Sequence, residues 1–248
     1  MADNRKEQER DELHRTIWGI ANDLRGSVDG WDFKQYALGM LFYRYISENF
    51  ANYINDGERE AGDATFDYAQ LSDSDAEQAR DDLIKTKGFF ILPSQLFCSV
   101  RSRAPLDENL NETLEAVFQA VEDSAKGSDS EANFSGLFDD IDVNSNKLGG
   151  AVAERNKRLV KLMNGVGDMK LGGDNTIDAF GDAYEYLMGM YASNAGKSGG
   201  EYFTPQEVSE LLTRIAVAGT TEVNKVYEII IQTLIQGVGK IKMCTVAV

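Results

Sequence analysis

At 248 residues, with 42% hydrophobic and 10% aromatic side chains, the chain is long and apolar enough to bury a core of its own. Its net charge of -16 is uneven, since residues 56–150 hold 21 Asp and Glu against 8 Lys and Arg and the remainder holds 20 against 17. That excludes phosphate binding by the surface as a whole and leaves DNA contact to a local basic face or to a partner.

Leu13, Ile17, Ile20, Ala21 and Leu24 recur at helical spacing and Gly26 closes the run, so residues 8–25 read as an amphipathic helix. It carries His14, the one histidine of the chain, which argues against a His general base, a Ser-His-Asp or Cys-His arrangement, or a multi-His metal site. Asp32 can cap a second helix bearing Phe33, Tyr36, Met40, Tyr43 and Ile46, a stripe of large side chains best used as core. Residues 56–70 are polar and glycine-containing and are expected to form an exposed loop, followed by a short surface helix over 73–85. The apolar run Gly88-Phe89-Phe90-Ile91-Leu92-Pro93 is either a strand or a buried extended segment.

After the Pro105 turn, Leu110, Leu114, Val117, Phe118 and Val121 form another helical stripe, and residues 124–135 read as loop. Asp142, Asn144 and Asn146 alternate like the opening of a calcium loop. Lys147 stands where such a loop needs glycine and Ala153 where it needs a bidentate Glu, so a turn and helix cap is the better reading and no metal is expected. Residues 151–163 form a helix in which Arg155, Lys157, Arg158 and Lys161 make the densest positive cluster. That cluster is either a solvated face or a contact for DNA phosphate. Residues 165–175, with four glycines, are expected to be a flexible connection, and Ile177, Phe180, Tyr184, Leu187, Met188 and Tyr191 then mark a strong helix opened by Asp174 or Thr176.

Gly199-Gly200-Glu201-Tyr202-Phe203-Thr204-Pro205-Gln206-Glu207 places a glycine hinge before a helix start. Thr204 and Glu207 form a capping box with Pro205 at the first helical position, and Val208, Leu211, Leu212 and Ile215 supply the apolar face. Such an N-terminus can be a cap alone, or it can face an anionic or nucleoside ligand. Cys98 and Cys244 are far apart with no C-x-x-C, so two reduced thiols are expected; no apolar run approaches the roughly 20 residues of a membrane helix, and a cytoplasmic location is the expectation.

Phe180-Gly181-Asp182-Ala183-Tyr184-Glu185-Tyr186-Leu187 followed by Gly199-Gly200-Glu201-Tyr202-Phe203-Thr204-Pro205 resembles the modification subunit of type I restriction-modification systems, an adenine-N6 DNA methyltransferase family. The run from Trp31-Asp32-Phe33-Lys34-Gln35-Tyr36 to Phe42-Tyr43-Arg44-Tyr45-Ile46-Ser47 is similar to that subunit's N-terminal helical domain, as are Gly88-Phe89-Phe90-Ile91 and Leu137-Phe138-Asp139-Asp140-Ile141-Asp142. The likeness spans about residues 10–227. It implies a mainly α chain: an N-terminal helical domain over 1–165 that helps enclose DNA and mediates subunit contacts, then the first elements of a Rossmann-like α/β methyltransferase domain over 166–227.

By the same resemblance Glu201, Tyr202, Phe203, Thr204, Pro205 and Gln206 line an S-adenosylmethionine pocket. The implied partners are a specificity subunit, a second modification subunit, a nuclease subunit and double-stranded DNA. The pattern then departs. After the strand matching Lys225-Val226-Tyr227 the family places Asp-Pro-x-Cys-Gly-Ser-Gly, whereas this chain has Glu228-Ile229-Ile230-Ile231-Gln232-Thr233. The three prolines are Pro93, Pro105 and Pro205, so the catalytic Asn-Pro-Pro-aromatic motif that grips a flipped adenine is not among these residues. The expectation is a modification subunit truncated before its catalytic motifs, with residues 228–248 a tail unrelated to the family, no catalytic residue, weak or absent cofactor binding, and no activity alone. A non-enzymatic helical module for subunit interaction is the rival reading.

Overall fold

The computed structural model describes residues 2–23, 30–171 and 179–192, together with Ile215. Met1–Glu201 is one compact unit and Tyr202–Val248 another, and of the second only Ile215, in helical conformation, is described. Every regular element among the described residues is helical: α1 (Ala2–Asp23), α2 (Gly30–Glu60), α3 (Asp73–Ala76), α4 (Arg80–Lys87), α5 (Phe97–Arg103), α6 (Leu110–Ser124), α7 (Glu131–Phe134), α8 (Val152–Asp168) and α9 (Ala179–Ala192). Short 3-10 turns at Tyr68–Gln70, Pro93–Gln95, Ala104–Leu106 and Asn146–Leu148 join them. No helix among them is long and apolar enough to cross a membrane.

The axis of the first unit is α2. Its 31 residues span about 46 Å at 1.5 Å per residue, and it packs on α5, α8 and α9. Phe33, Tyr36, Ala37, Met40, Tyr43, Ser47 and Phe50 recur every three or four positions and all are buried. Asp32 lies inside the helix and not at its cap, because the helix begins at Gly30. At its other end α2 takes in residues 56–60, which composition assigned to a loop. Those residues are exposed and carry no apolar signal, but the buried Asn55 anchors the turn that follows by accepting the Tyr68 amide at 2.7 Å.

Aromatic rings fill the space around α2. Tyr43 meets Phe97 and Phe118 edge-on at 5.5 and 5.4 Å, Phe118 stacks on Phe138 at 4.3 Å, and Phe50 contacts Tyr68, Phe89 and Phe90. The buried phenols donate to backbone, Tyr43 to the Gln95 carbonyl at 2.6 Å and Tyr68 to the Ile91 carbonyl at 2.8 Å, and burial drives both far above the ordinary tyrosine range.

Residues 88–93 are a buried extended segment and not a strand. Side chains meet the backbone groups that a sheet would otherwise satisfy: Ser124 accepts the Phe90 amide at 2.9 Å, Gln95 accepts the Leu92 amide at 3.3 Å, and Tyr68 donates to the Ile91 carbonyl. Gly88 enters this segment at φ +83° as the left-handed cap of α4, and a Cβ there would collide with Ser130. The surface helix expected over 73–85 is two pieces, α3 and α4, joined by a 3-10 turn at Glu77–Ala79, while α7 adds one helical turn inside the expected loop 124–135. The stripe from Leu110 to Val121 is α6, as its spacing predicts.

The glycine-rich connection expected over 165–175 begins later than composition implied. Helix α8 continues to Asp168, carrying Gly165 and Gly167 within it. A Cβ at Gly165 would collide with Ile20 of α1, and one at Gly167 with the Arg101 guanidinium, so these glycines permit close approach. Arg44, buried on α2, donates to the carbonyls of Val166 and Met169 at 2.7 Å each, adding to the Met169 amide that Val166 already accepts at 3.3 Å where α8 ends. Its Nε is paired with Glu48 at 2.6 Å.

Candidate functional site

The four basic residues of α8 separate into two pairs. Arg155 and Arg158 are half-buried and turned back on the loop that precedes their own helix: Arg155 donates to the Gly149 carbonyl at 3.1 Å and Arg158 to the Leu148 carbonyl. Lys157 and Lys161 are exposed and, four residues apart, lie one above the other on the helix. Sequence spacing shows four cations within seven residues. It does not show that two of them are held by backbone carbonyls.

The turn at 142–146 is the cap that its residues predict. Asp142 Oδ1 accepts the Asn144 amide at 3.0 Å, Asn144 donates to Glu115 at 2.9 Å and accepts from Asn111 at 2.6 Å, and Ser145 accepts the Lys147 amide at the start of the 3-10 turn. No group of three His, Cys, Asp or Glu side chains that could hold a metal ion occurs among the described residues. Cys98 is an exposed free thiol. Glu201, Tyr202, Phe203, Thr204, Pro205 and Gln206, with Asp174 and Thr176, lie outside the described residues.

A polar seam that sequence reasoning did not single out joins α1 to α9. Arg10 Nε lies 3.2 Å from the Asp182 carboxylate, whose side chain is only 10% exposed against 41% for Arg10. One turn further along both helices the His14 ring stacks on Tyr186, with centroids 3.9 Å apart and planes 12° from parallel. The step from residue 10 to 14 is matched by the step from 182 to 186, so the two helices run parallel along this seam. Ala183 and Leu187 of α9 and Ile17 of α1 are fully buried beside it. Lys170, just past α8, donates to Glu12 at 2.8 Å and thereby holds that carboxyl below its usual range.

His14 is accordingly a packing residue. Burial lowers its pKa most, Asp182 and Asp11 oppose that shift, and Arg10 reinforces it. The signal available in the sequence was the pairing of polar positions at i and i+4 beside two apolar stripes, Arg10 with His14 and Asp182 with Tyr186. Nothing in either stripe alone identifies the partner.

Comparison with known proteins places these elements. Residues 13–166 match the HsdM N-terminal domain family, and residues 175–233 match the N-6 DNA Methylase family. The chain is 45% identical over 235 residues to the type I restriction enzyme MpnII methylase subunit of Mycoplasma pneumoniae, covering 91% of this chain and 43% of that protein. It is 20% identical over 210 residues to the type I restriction enzyme MjaIX methylase subunit of Methanocaldococcus jannaschii, covering 82% of this chain and 35% of that one. The crystal structure of a type I restriction-modification system methyltransferase subunit from Streptococcus thermophilus superposes with a TM-score of 0.68 at 29% identity, over 85% of this chain and 44% of that chain. The chain thus spans less than half the length of the relatives it matches. The helical bundle around α2, up to α8, carries the longer match, while α9 falls within the N-6 DNA Methylase match. This chain belongs to the family of type I restriction-modification methylase subunits.

Proposed function

We propose that the protein serves as the DNA-methyltransferase, or modification, subunit of a type I restriction-modification system, adenine-N6 specific, with S-adenosylmethionine as methyl donor. The observation that carries this reading is the match of residues 13–166 to the HsdM N-terminal domain, supported by the 45% identity to a type I methylase subunit. In this assignment residues 1–165 are the helical domain that meets a specificity subunit, a second modification subunit and double-stranded DNA, with a nuclease subunit as a further partner. Residues 166–227 open the methyltransferase domain. Glu201, Tyr202, Phe203, Thr204, Pro205 and Gln206 form one wall of the cofactor pocket, where the capping box at Thr204 and Glu207 leaves helix N-H groups that favour a carboxylate.

The DNA-facing role falls to Lys157 and Lys161, which are exposed, while Arg155 and Arg158 are engaged with backbone carbonyls. An acidic middle carrying 21 acids against 8 bases keeps the rest of the domain off phosphate and concentrates contact on that stripe. No Asn-Pro-Pro-aromatic tetrapeptide is present among these 248 residues, so methyl transfer by them alone is not expected. A second reading, in which these residues act as a non-enzymatic helical module for subunit interaction, is supported by the extent of the match to the N-terminal helical domain.

Isothermal titration with S-adenosylmethionine and capture by the specificity subunit of the same system separate the two. Weak cofactor binding together with capture fits a modification subunit contributing its docking domain. Capture without any cofactor binding selects the interaction module, and absence of both contradicts each reading.

A further inference from the structure

We propose that Arg10 and His14 are positioning residues that set where α9, the helix assigned to the opening of the methyltransferase domain, sits on the helical domain. This rests on the assignment of α9 to that opening. Two contacts of different chemistry lie one helical turn apart on each partner, the Arg10–Asp182 ion pair and the His14–Tyr186 stack. A charge pair has a sign and a stack needs a flat partner, so together they define a register. A slip of one turn toward the start of α1 would set the Tyr186 ring against Arg10 and leave Arg10 without its acid, whereas a slip the other way would set Asp182 against the His14 ring and lose the stack.

Among the described side chains of α9, the wholly buried apolar ones are Ala183 and Leu187; hydrophobic burial is non-directional, and Ala183 has little shape to key into a neighbouring groove. The seam also reaches α8. Lys170 ties the residue beyond α8 to Glu12, and Gly165 brings α8 against Ile20, so α1 is held to both the helix that ends the bundle and the helix that follows it. In this arrangement α1 acts as a ruler laid across the junction, with Arg10 and His14 as its marks.

The test is hydrogen exchange on the full chain, following residues 179–192 with 110–124 as an internal reference. Arg10→Asp is expected to accelerate exchange in 179–192 about tenfold while leaving 110–124 unchanged. The charge-swapped pair Arg10→Asp with Asp182→Arg is expected to return it to within about twofold of the parent, a rescue that simple loss of packing does not produce. Arg10→Gln is the milder variant should the reversal disturb folding, and an intermediate acceleration is expected from it. Unchanged exchange in either single variant, or a swapped pair no slower than Arg10→Asp, overturns the proposal. Exchange reads docking whether or not the chain binds S-adenosylmethionine, so failure of the cofactor assignment leaves a distinct signature: normal α9 protection with no calorimetric signal.

Discussion

Tyr186 lies face to face on His14 at 3.9 Å, one turn along from the ion pair between Asp182 and Arg10. A histidine that is alone in its chain is here a flat packing surface between two helices. The relation has consequences for pH, since the ring is partly withdrawn from water beside charged neighbours.

Burial lowers the His14 pKa, with Asp182 and Asp11 opposing and Arg10 reinforcing. A folded-state value below the unfolded one means that the unfolded chain binds the proton more readily. The stabilising contribution is therefore complete above the ordinary imidazole range and is lost as pH falls through the folded value. Protection of 179–192 is expected to hold steady at neutral pH and above and to decline on acidification. His14→Phe, which keeps a flat ring without a titrating group, is expected to remove the His-linked part of that decline. Identical pH profiles for the parent and His14→Phe contradict the assignment.

Gly165 and Gly57 predict opposite outcomes for the same substitution. Gly165→Ala drives a methyl group into Ile20 and is expected to destabilise by about 1–3 kcal/mol. Gly57→Ala lies in the exposed end of α2 with open space around it, and is expected to be neutral or stabilising by up to about 1 kcal/mol. Urea unfolding midpoints decide this, and equal shifts of the same sign count against the close α1–α8 approach.

Arg44 makes a third case. Arg44→Met keeps much of the apolar stem but removes the donor to the Met169 carbonyl and the second donor to the Val166 carbonyl, at an expected cost of about 2 kcal/mol. The thermal midpoint is expected to fall by several degrees. A variant as stable as the parent means that the end of α8 is satisfied in some other way.

These cases show which features the sequence announced. The stripe of α6 and the core of α2 were legible, because large apolar residues at helical spacing have few other uses. The extension of α2 over 56–60 was not, since those residues are exposed and the anchor is one buried amide, Asn55. Gly165 and Gly167 read as flexible because composition cannot show that a neighbour fills the space where a Cβ would stand. The basic cluster was visible as four charges, but the diversion of Arg155 and Arg158 to backbone carbonyls depends on the path of the loop at 148–149. The resemblance located the family through local strings, while the seam between Arg10 and Asp182 joins residues 172 apart and no local string contains it.

For the basic stripe, Lys157→Glu and Lys161→Glu in the assembled complex are expected to weaken binding to all DNA sequences alike and to reduce the salt dependence by about one unit of slope each. Arg158→Gln is expected to act through stability, leaving the slope unchanged. A sequence-selective loss from either lysine variant contradicts a phosphate-contacting role.

The assignment of the helical domain as a subunit-docking unit is tested most directly by sedimentation velocity of the full chain mixed with the specificity subunit of its own system at micromolar concentration. A faster-sedimenting species containing both chains is the expected result. Two independently sedimenting boundaries across that range contradict the account.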